Sequence, residues 1–335
     1  MTQSEQYCTY FDSNYLVRAL ALHASLQRVS PGAVLWALCL DRSAADTLAR
    51  LALPTFRPVT LAELEAADRE LAAVKPTRSQ VEYYFTCTPA LLNHLFLRAE
   101  RIERLTYLDA DLWFLADPAP LFAELSGHSV SIVPHRFPAR LRRLEAYGRY
   151  NVGWLTFVHD ARGGAVLADW RARCIEWCFD RLEGDRFADQ KYLDAWPARF
   201  DGVREIEHRG ANVAPWNLAG EALAWRDRAL HAGRWPLLFF HFHGFKRIRP
   251  WLFDPGLSAY GVRMTPLLRE RLFAPYVTEL RELERGLRAR VPDFGGAWGT
   301  ARPTGWSRLS IAKKWLTGYL IRLPERAERG RPVPG

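Results

Sequence analysis

The 335-residue chain is 49% hydrophobic, 25% charged and 13% aromatic, the balance of an ordinary globular protein, and its length allows one large α/β domain or two smaller ones. Its net charge is +9, and all but five of its 46 basic residues are Arg. That bias has a bland explanation in codon composition and a functional one in polyanion handling, meaning nucleotide phosphates or phospholipid headgroups. The arginines are scattered and no recognition motif accompanies them, which argues against nucleic acid. No run of 18 apolar residues is present, so no membrane-spanning helix is expected. The opening MTQSEQYCTYF lacks the basic and apolar regions of a secretory signal, and Cys8, Cys39, Cys87, Cys174 and Cys178 are odd in number and sit mostly in apolar runs. Together these predict reduced thiols and a cytoplasmic chain.

In chain order, Tyr7–Phe11 reads as a buried strand, followed by the polar turn Asp12-Ser13-Asn14 and a helix over Tyr15–Val29. Val34–Leu40 is a second strand, Ser43–Leu51 a helix, Phe56–Val59 a strand and Leu61–Ala73 a helix. This alternation predicts βαβ units and a mainly parallel sheet with its strand C-termini at one edge. Lys75–Thr88 reads as a loop, with Pro89 in the first turn of a helix over Ala90–Arg101. Leu105–Phe114, LTYLDADLWF, is the central strand. Val130–Pro134 and Tyr150–Val158 are further strands, Arg136–Arg149 is an arginine-rich insertion and Gly163–Leu182 is a helix. Phe187–Trp196 carries Asp189-Gln190 at a helix start, Gly210–Leu218 is loop-like and Trp235–Gly244 is a strand ending in His241 and His243. A catalytic domain over 1–260 is expected to give way to a helical extension over 261–335. There, Leu267–Arg290 is a charged helix, Val291–Gly305 a linker and Trp306–Leu323 an amphipathic basic helix. The last helix is expected either on an anionic membrane surface or docked on the protein.

The chemistry concentrates at Asp109 and Asp111. On an extended chain, residues i and i+2 project to one side, so two carboxylates would meet at a strand end, where open α/β sheets bind ligands. Such a pair suits Mn²⁺ or Mg²⁺; a solvated turn is the alternative. His241 is either a further ligand or a hydrogen-bonded core histidine. Lys246, Arg247 and Arg249 either neutralise a diphosphate or are solvated loop charges. Asp12 and Asn14 either read a nucleoside or cap a helix, and Asp189 with Gln190 either meet substrate or cap one. The chain has no G-x-x-x-x-G-K-[ST], no G-x-G-x-x-G after its first strand and no G-x-S-x-G, which removes the main support for P-loop, dinucleotide and α/β-hydrolase chemistries.

Five landmarks in order, YFDSNYL, LDADLWF, YNVGWLTF, FADQKYL and HFHG followed by basic residues, resemble the retaining nucleotide-sugar glycosyltransferases of the GT-A fold. The resemblance is to family eight and related bacterial nucleotide-diphospho-sugar transferases, and it covers about residues 5–255. It implies a Rossmann-like, mainly parallel mixed sheet flanked by helices, with the helical tail outside it. It implies a metal site of Asp109, Asp111 and His241 binding Mn²⁺ or Mg²⁺. Donor contacts are implied for Tyr10, Asp12 and Asn14, and for one of Lys246, Arg247 and Arg249, where the chain departs from the family spacing. Arg78 or Arg98 is a candidate for the arginine the family carries on the preceding helix. Asn151, Asp189 and Gln190 are implied near the sugar. The implied activity is metal-dependent transfer from a UDP- or GDP-sugar to a glycan or lipid-linked acceptor, with retention, in surface-polysaccharide or glycoconjugate synthesis. A non-catalytic nucleotide-sugar-binding scaffold and a sugar-phosphate nucleotidyltransferase are the competing expectations, although the turn after the first strand lacks the latter's glycine-rich loop.

Overall fold

A computed structural model of the chain describes residues 4–98, 102–296 and 308–324. Strands and helices alternate through β1 (Gln6–Phe11), α1 (Leu16–Val29), β2 (Val34–Cys39), α2 (Arg42–Leu51) and β3 (Phe56–Thr60). Two short helices, α3 (Leu61–Ala67) and α4 (Arg69–Val74), replace the single expected one. The break falls at Asp68, whose side chain accepts from the Leu71 amide and starts α4. Then come α5 (Gln80–Leu97), β4 (Arg104–Leu108), β5 (Leu112–Phe114), α6 (Ala119–Glu124), β6 (Val130–Pro134) and β7 (Tyr150–Val158). α7 (Ala161–Glu176), α8 (Trp196–Arg199) and β8 (Val203–Glu205) complete the main sheet and its cover.

The seven strands lie in the order β3-β2-β1-β4-β7-β6-β8. From β3 to β4 they are parallel, while β7 runs antiparallel to both β4 and β6. The expected mixed, mainly parallel sheet is therefore present, and the C-termini of β1 and β4 lie side by side. Period-two alternation divides each strand between two cores. Tyr7, Leu35 and Ala37 pack on one face with α1, whereas Cys8, Trp36 and Leu38 pack on the other with α5 and α7.

Helix α5 starts at Gln80 rather than Ala90. Ser79 accepts from the Glu82 amide, and the Glu82 carboxylate accepts from the Ser79 amide at 2.8 Å, a capping box that fixes the helix start. Pro89 thus lies mid-helix, where its missing N–H forfeits a backbone bond. Burial of Tyr83, Cys87, Leu91, Leu92 and Leu95 outweighs that loss, at about 1.5–3 kcal/mol for each large apolar side chain. Helix α7 ends at Glu176, short of the expected Leu182, and Asp189-Gln190 precedes only a short 3-10 turn, Lys191–Ala195.

Downstream, a meander of β9 (Leu223–Arg226), β10 (Ala229–Ala232) and β11 (Trp235–Pro236) precedes β12 (Phe239–His241). The strand expected over Trp235–Gly244 is therefore split. A hairpin of β13 (Lys246–Arg249) and β14 (Leu252–Asp254) follows, then α9 (Pro266–Leu268) and α10 (Ala274–Arg290). Helix α10 buries Tyr276, Val277, Leu280 and Leu287 in the same core as Leu16, Leu20 and Phe242, and Glu279 pairs with Arg28 of α1 at 2.5 Å.

The last described segment holds α11 (Arg308–Leu316) and β15 (Ile321–Arg322). Trp306 of the expected tail helix lies outside the described residues. The helix stops at Leu316, and the chain turns at Gly318, whose φ of +74° suits a residue without a β-carbon. β15 then pairs antiparallel with β14, Ile321 is fully buried, and Lys314 pairs with buried Asp254 at 2.7 Å. This segment docks on the preceding fold through β14 and Asp254, while Trp315 and Leu316 stay exposed. Among the described residues, no helix is long and apolar enough to cross a membrane.

Candidate metal centre and donor site

Strand β4 ends at Leu108, and Asp109 to Asp111 form a turn closed by the Leu112 amide on the Asp109 carbonyl at 3.2 Å. The two carboxylates therefore converge through a turn, not through the pleat of an extended strand as the sequence suggested. The turn feeds β5, which pairs antiparallel with β12 and sets His241 opposite Leu112. A further bond from the Phe242 amide to the Asp111 carbonyl, at 3.0 Å, ties the two segments together.

This pairing brings His241 Nε2 to 3.0 Å from Asp111 Oδ1 and 3.6 Å from Asp109 Oδ2. Among the described residues, these three are the one group of acidic, His and Cys side chains placed to hold a metal, with donor atoms within 4.8 Å of one another. Each carboxylate is also held by its outer oxygen. Tyr107 Oη donates to Asp109 Oδ1 at 3.0 Å, and Arg18 Nη1 lies 3.8 Å from Asp111 Oδ2. Burial works to raise the Asp111 carboxyl, but His241 and Arg18 outweigh it and hold the group well below the usual range. Burial and the Asp111 charge instead push Asp109 up, against the opposing pull of His241. Burial would lower His241, yet the two aspartates raise it. Two hard oxygens and an imidazole nitrogen form a donor set that fits Mn²⁺ or Mg²⁺, with positions left for phosphate oxygens and water.

Gly153 of β7 floors the site. A β-carbon there would sit 2.6 Å from Asn151 Oδ1, 3.1 Å from Asp109 Oδ2 and 3.1 Å from His241 Nδ1. Asn151 accepts from the Gly153 amide at 3.0 Å, and its own amide meets Gln190 Oε1 at 3.5 Å. Gln190 in turn donates to the Tyr147 carbonyl at 3.0 Å. Asp189 is buried, with Oδ2 accepting from Thr88 Oγ1 at 2.9 Å; burial, and secondarily Asp109, push its carboxyl up to about 7 despite Thr88. Tyr10 packs between Tyr84 and Tyr107, beside Asp109.

The first turn also lies at this edge. Asp12 Oδ1 accepts from the Asn14 and Tyr15 amides at 3.0 and 3.2 Å, so it shapes the turn into α1, while the exposed Asn14 side chain donates to Asp12 Oδ2 at 3.3 Å. Of the three basic candidates on β13, Arg247 is committed to Glu284 of α10 at 3.0 Å, whereas Lys246 and Arg249 are exposed. Arg78 donates to the carbonyls of Ile175 and Glu176 and lies over the Phe179 ring at 4.0 Å. None of these partners belongs to the triad. Sequence reasoning missed Arg18, Tyr107 and the steric part played by Gly153. A signal for Arg18 existed: it is the one charged residue in the run LVRALALHASL, a stretch otherwise fit for complete burial.

A seven-stranded mixed sheet with an Asp-x-Asp turn at the mouth of its central strand defines the GT-A glycosyltransferase fold. The chain superimposes on an active-site mutant of LgtC with a TM-score of 0.51 at 15% identity, covering 84% of this chain and 95% of that one. A second LgtC structure, of the galactosyltransferase with donor and acceptor sugar analogs, gives 0.49 at 15% identity over the same shares. No family model matches. The chain belongs to the same family as the uncharacterized protein YfnF of Bacillus subtilis (strain 168), with 34% identity over 248 residues, 72% of this chain and 81% of YfnF. It is also 28% identical over 291 residues to the uncharacterized protein YfnD of that organism, 86% of this chain and 92% of YfnD.

Proposed function

We propose that this chain is a metal-dependent glycosyltransferase that moves a sugar from a UDP- or GDP-linked donor to a glycan or lipid-linked acceptor. The observation that carries the reading is the convergence of Asp109, Asp111 and His241 beside the Asp12-Asn14 turn, at the edge where the β1 and β4 C-termini meet. Asp109, Asp111 and His241 would hold Mn²⁺ or Mg²⁺, which would supply positive charge to a leaving diphosphate.

The chain's own groups divide the remaining work. Tyr10, Asp12 and Asn14 take the nucleoside end of the donor. Lys246 and Arg249 lie on the hairpin just past His241, exposed to solvent, and take charge on the diphosphate, whereas Arg247 is half-buried against Glu284. Asn151 and Gln190, linked to each other and to the floor at Gly153, position the sugar. Asp189 is a poor nucleophile here, since it is buried, bonded to Thr88 and carries a carboxyl near 7. That favours front-face attack with retention over double displacement, and Asp189 then supports the loop presenting Gln190. Anomeric proton signals of the first-formed product, β where the donor sugar is α, would overturn retention.

Isothermal titration with UDP and Mn²⁺, followed by a hydrolysis assay over a donor panel, tests the reading. Mn²⁺-dependent binding with turnover supports it. Binding without turnover favours a scaffold, and pyrophosphate release from NTP plus sugar phosphate favours a nucleotidyltransferase. The proposed setting is the cytoplasmic face of surface-polysaccharide or glycoconjugate assembly. There the exposed Trp315 and Leu316, beside Lys313, would offer a peripheral contact with anionic lipid.

A further inference from the structure

Arg18 lies in the first turn of α1 and is 1% exposed. Its Nη2 donates to the Phe245 carbonyl at 2.5 Å, and its Nη1 stands 3.8 Å from Asp111 Oδ2. The guanidinium also sits 4.7 Å from the Tyr15 ring centroid and 5.8 Å from that of Phe245, which limits where it can turn. Asp111 belongs to the turn after β4, and Phe245 to the turn between His241 and the basic hairpin. One side chain therefore spans the two segments that supply the carboxylate and imidazole donors.

We propose that Arg18 is a positioning residue for the metal site, acting through Asp111 and through the HFHGF turn. This rests on reading Asp109, Asp111 and His241 as that site. With Oδ2 of Asp111 drawn to Arg18, Oδ1 is the oxygen turned to His241 Nε2, so the carboxylate presents one fixed edge to the cation. With the Phe245 carbonyl held as well, the turn that follows His241 cannot drift from the aspartates. The job needs two separate donors at fixed spacing, which the planar fork of Arg provides and the point charge of Lys does not. Partners that orient a metal's ligands from outside act on affinity without touching the ion.

The test is Mn²⁺ binding by the full chain without donor, followed by titration calorimetry and water-proton relaxation. It compares the natural protein with Arg18→Met, Arg18→Lys and Asp111→Asn, alongside thermal unfolding of each. Arg18→Met is expected to weaken Mn²⁺ about 10- to 100-fold. Arg18→Lys, which keeps the charge but not the fork, is expected to recover only part of that loss. Natural-protein affinity in both variants, or a lowered Tm with unchanged affinity, overturns the proposal. Should Arg18→Met fail to fold, Arg18→Lys decides: weakened Mn²⁺ supports the assignment and unchanged Mn²⁺ overturns it. If the natural protein shows no Mn²⁺ binding that Asp111→Asn removes, the metal reading itself fails and takes this inference with it.

Discussion

Asn151 Oδ1 accepts from the amide of Gly153, two residues on in the same strand, at 3.0 Å. The carbonyl thereby occupies the space that any side chain at 153 would need, and Asp109 and His241 close in from the other sides. This contact makes the strand's surface part of the site rather than a support beneath it.

Gly153→Ala should therefore be costly although the change is one methyl group. The new carbon would sit 2.6 Å from Asn151 Oδ1, and overpacking of this kind costs about 1–3 kcal/mol. A lower Tm is expected together with weaker Mn²⁺ binding, since two of the displaced neighbours, Asp109 and His241, are side chains of the proposed metal site. Unchanged values for both would mean that the floor yields freely.

Asp111→Asn removes a charge and keeps the shape. The fold should persist, because Arg18 retains the Phe245 carbonyl and an amide oxygen can still face it. Metal-dependent donor turnover should fall by roughly three orders of magnitude, from a metal contribution of several kcal/mol at tenfold per 1.36 kcal/mol. Circular dichroism and donor hydrolysis read the two halves of this prediction.

Stability should carry a pH signature from Asp189. Its carboxyl titrates near 7 in the folded chain, against about 3.9 for a free side chain. Between these values the folded state holds a proton that the unfolded state has released. The contribution is thus complete below about pH 4 and is lost as pH rises to 7. His23, held near 4 by burial, acts oppositely, because the unfolded chain protonates first as pH falls from about 6.5. Urea midpoints at pH 5 and pH 8 should therefore be compared between the natural protein and Asp189→Asn. The variant should lose less stability over that interval, and an equal loss would show that Asp189 is ionised throughout.

Ile321 is fully buried where β15 meets β14, so Ile321→Ala should lower stability by about 2–5 kcal/mol in urea denaturation. Donor hydrolysis should survive, since Ile321 touches none of the triad. No change in stability would mean that the segment does not dock in solution. Removal of residues 303–335 should weaken binding to anionic vesicles if the exposed Trp315 and Leu316 meet lipid.

On β13, Arg249→Ala should weaken UDP binding, whereas Arg247→Ala should mainly reduce stability through the lost pairing with Glu284. Calorimetry with UDP and Mn²⁺ separates the two.

Much of this protein was legible without coordinates. Strand–helix alternation through Thr60 implied the parallel half of the sheet, and LDADLWF announced carboxylates at its mouth, because buried strands and polar turns leave periodic, local marks in sequence. The start of α5 was also encoded locally, in Ser79 and Glu82, although Pro89 drew attention to the wrong boundary. Other features depend on which distant segments meet. Only the pairing of β5 with β12 placed His241 against Asp109 and Asp111, and only the approach of α1 to both the turn after β4 and the HFHGF turn set Arg18 against Asp111 and the Phe245 carbonyl. The same holds for the room denied at Gly153 and for β15 on β14. Hydrophobic period and turn chemistry act over a few residues and so can be read along the chain. A coordination site is a set of distances between residues far apart in sequence, and those distances are fixed only when the packed core brings the segments together.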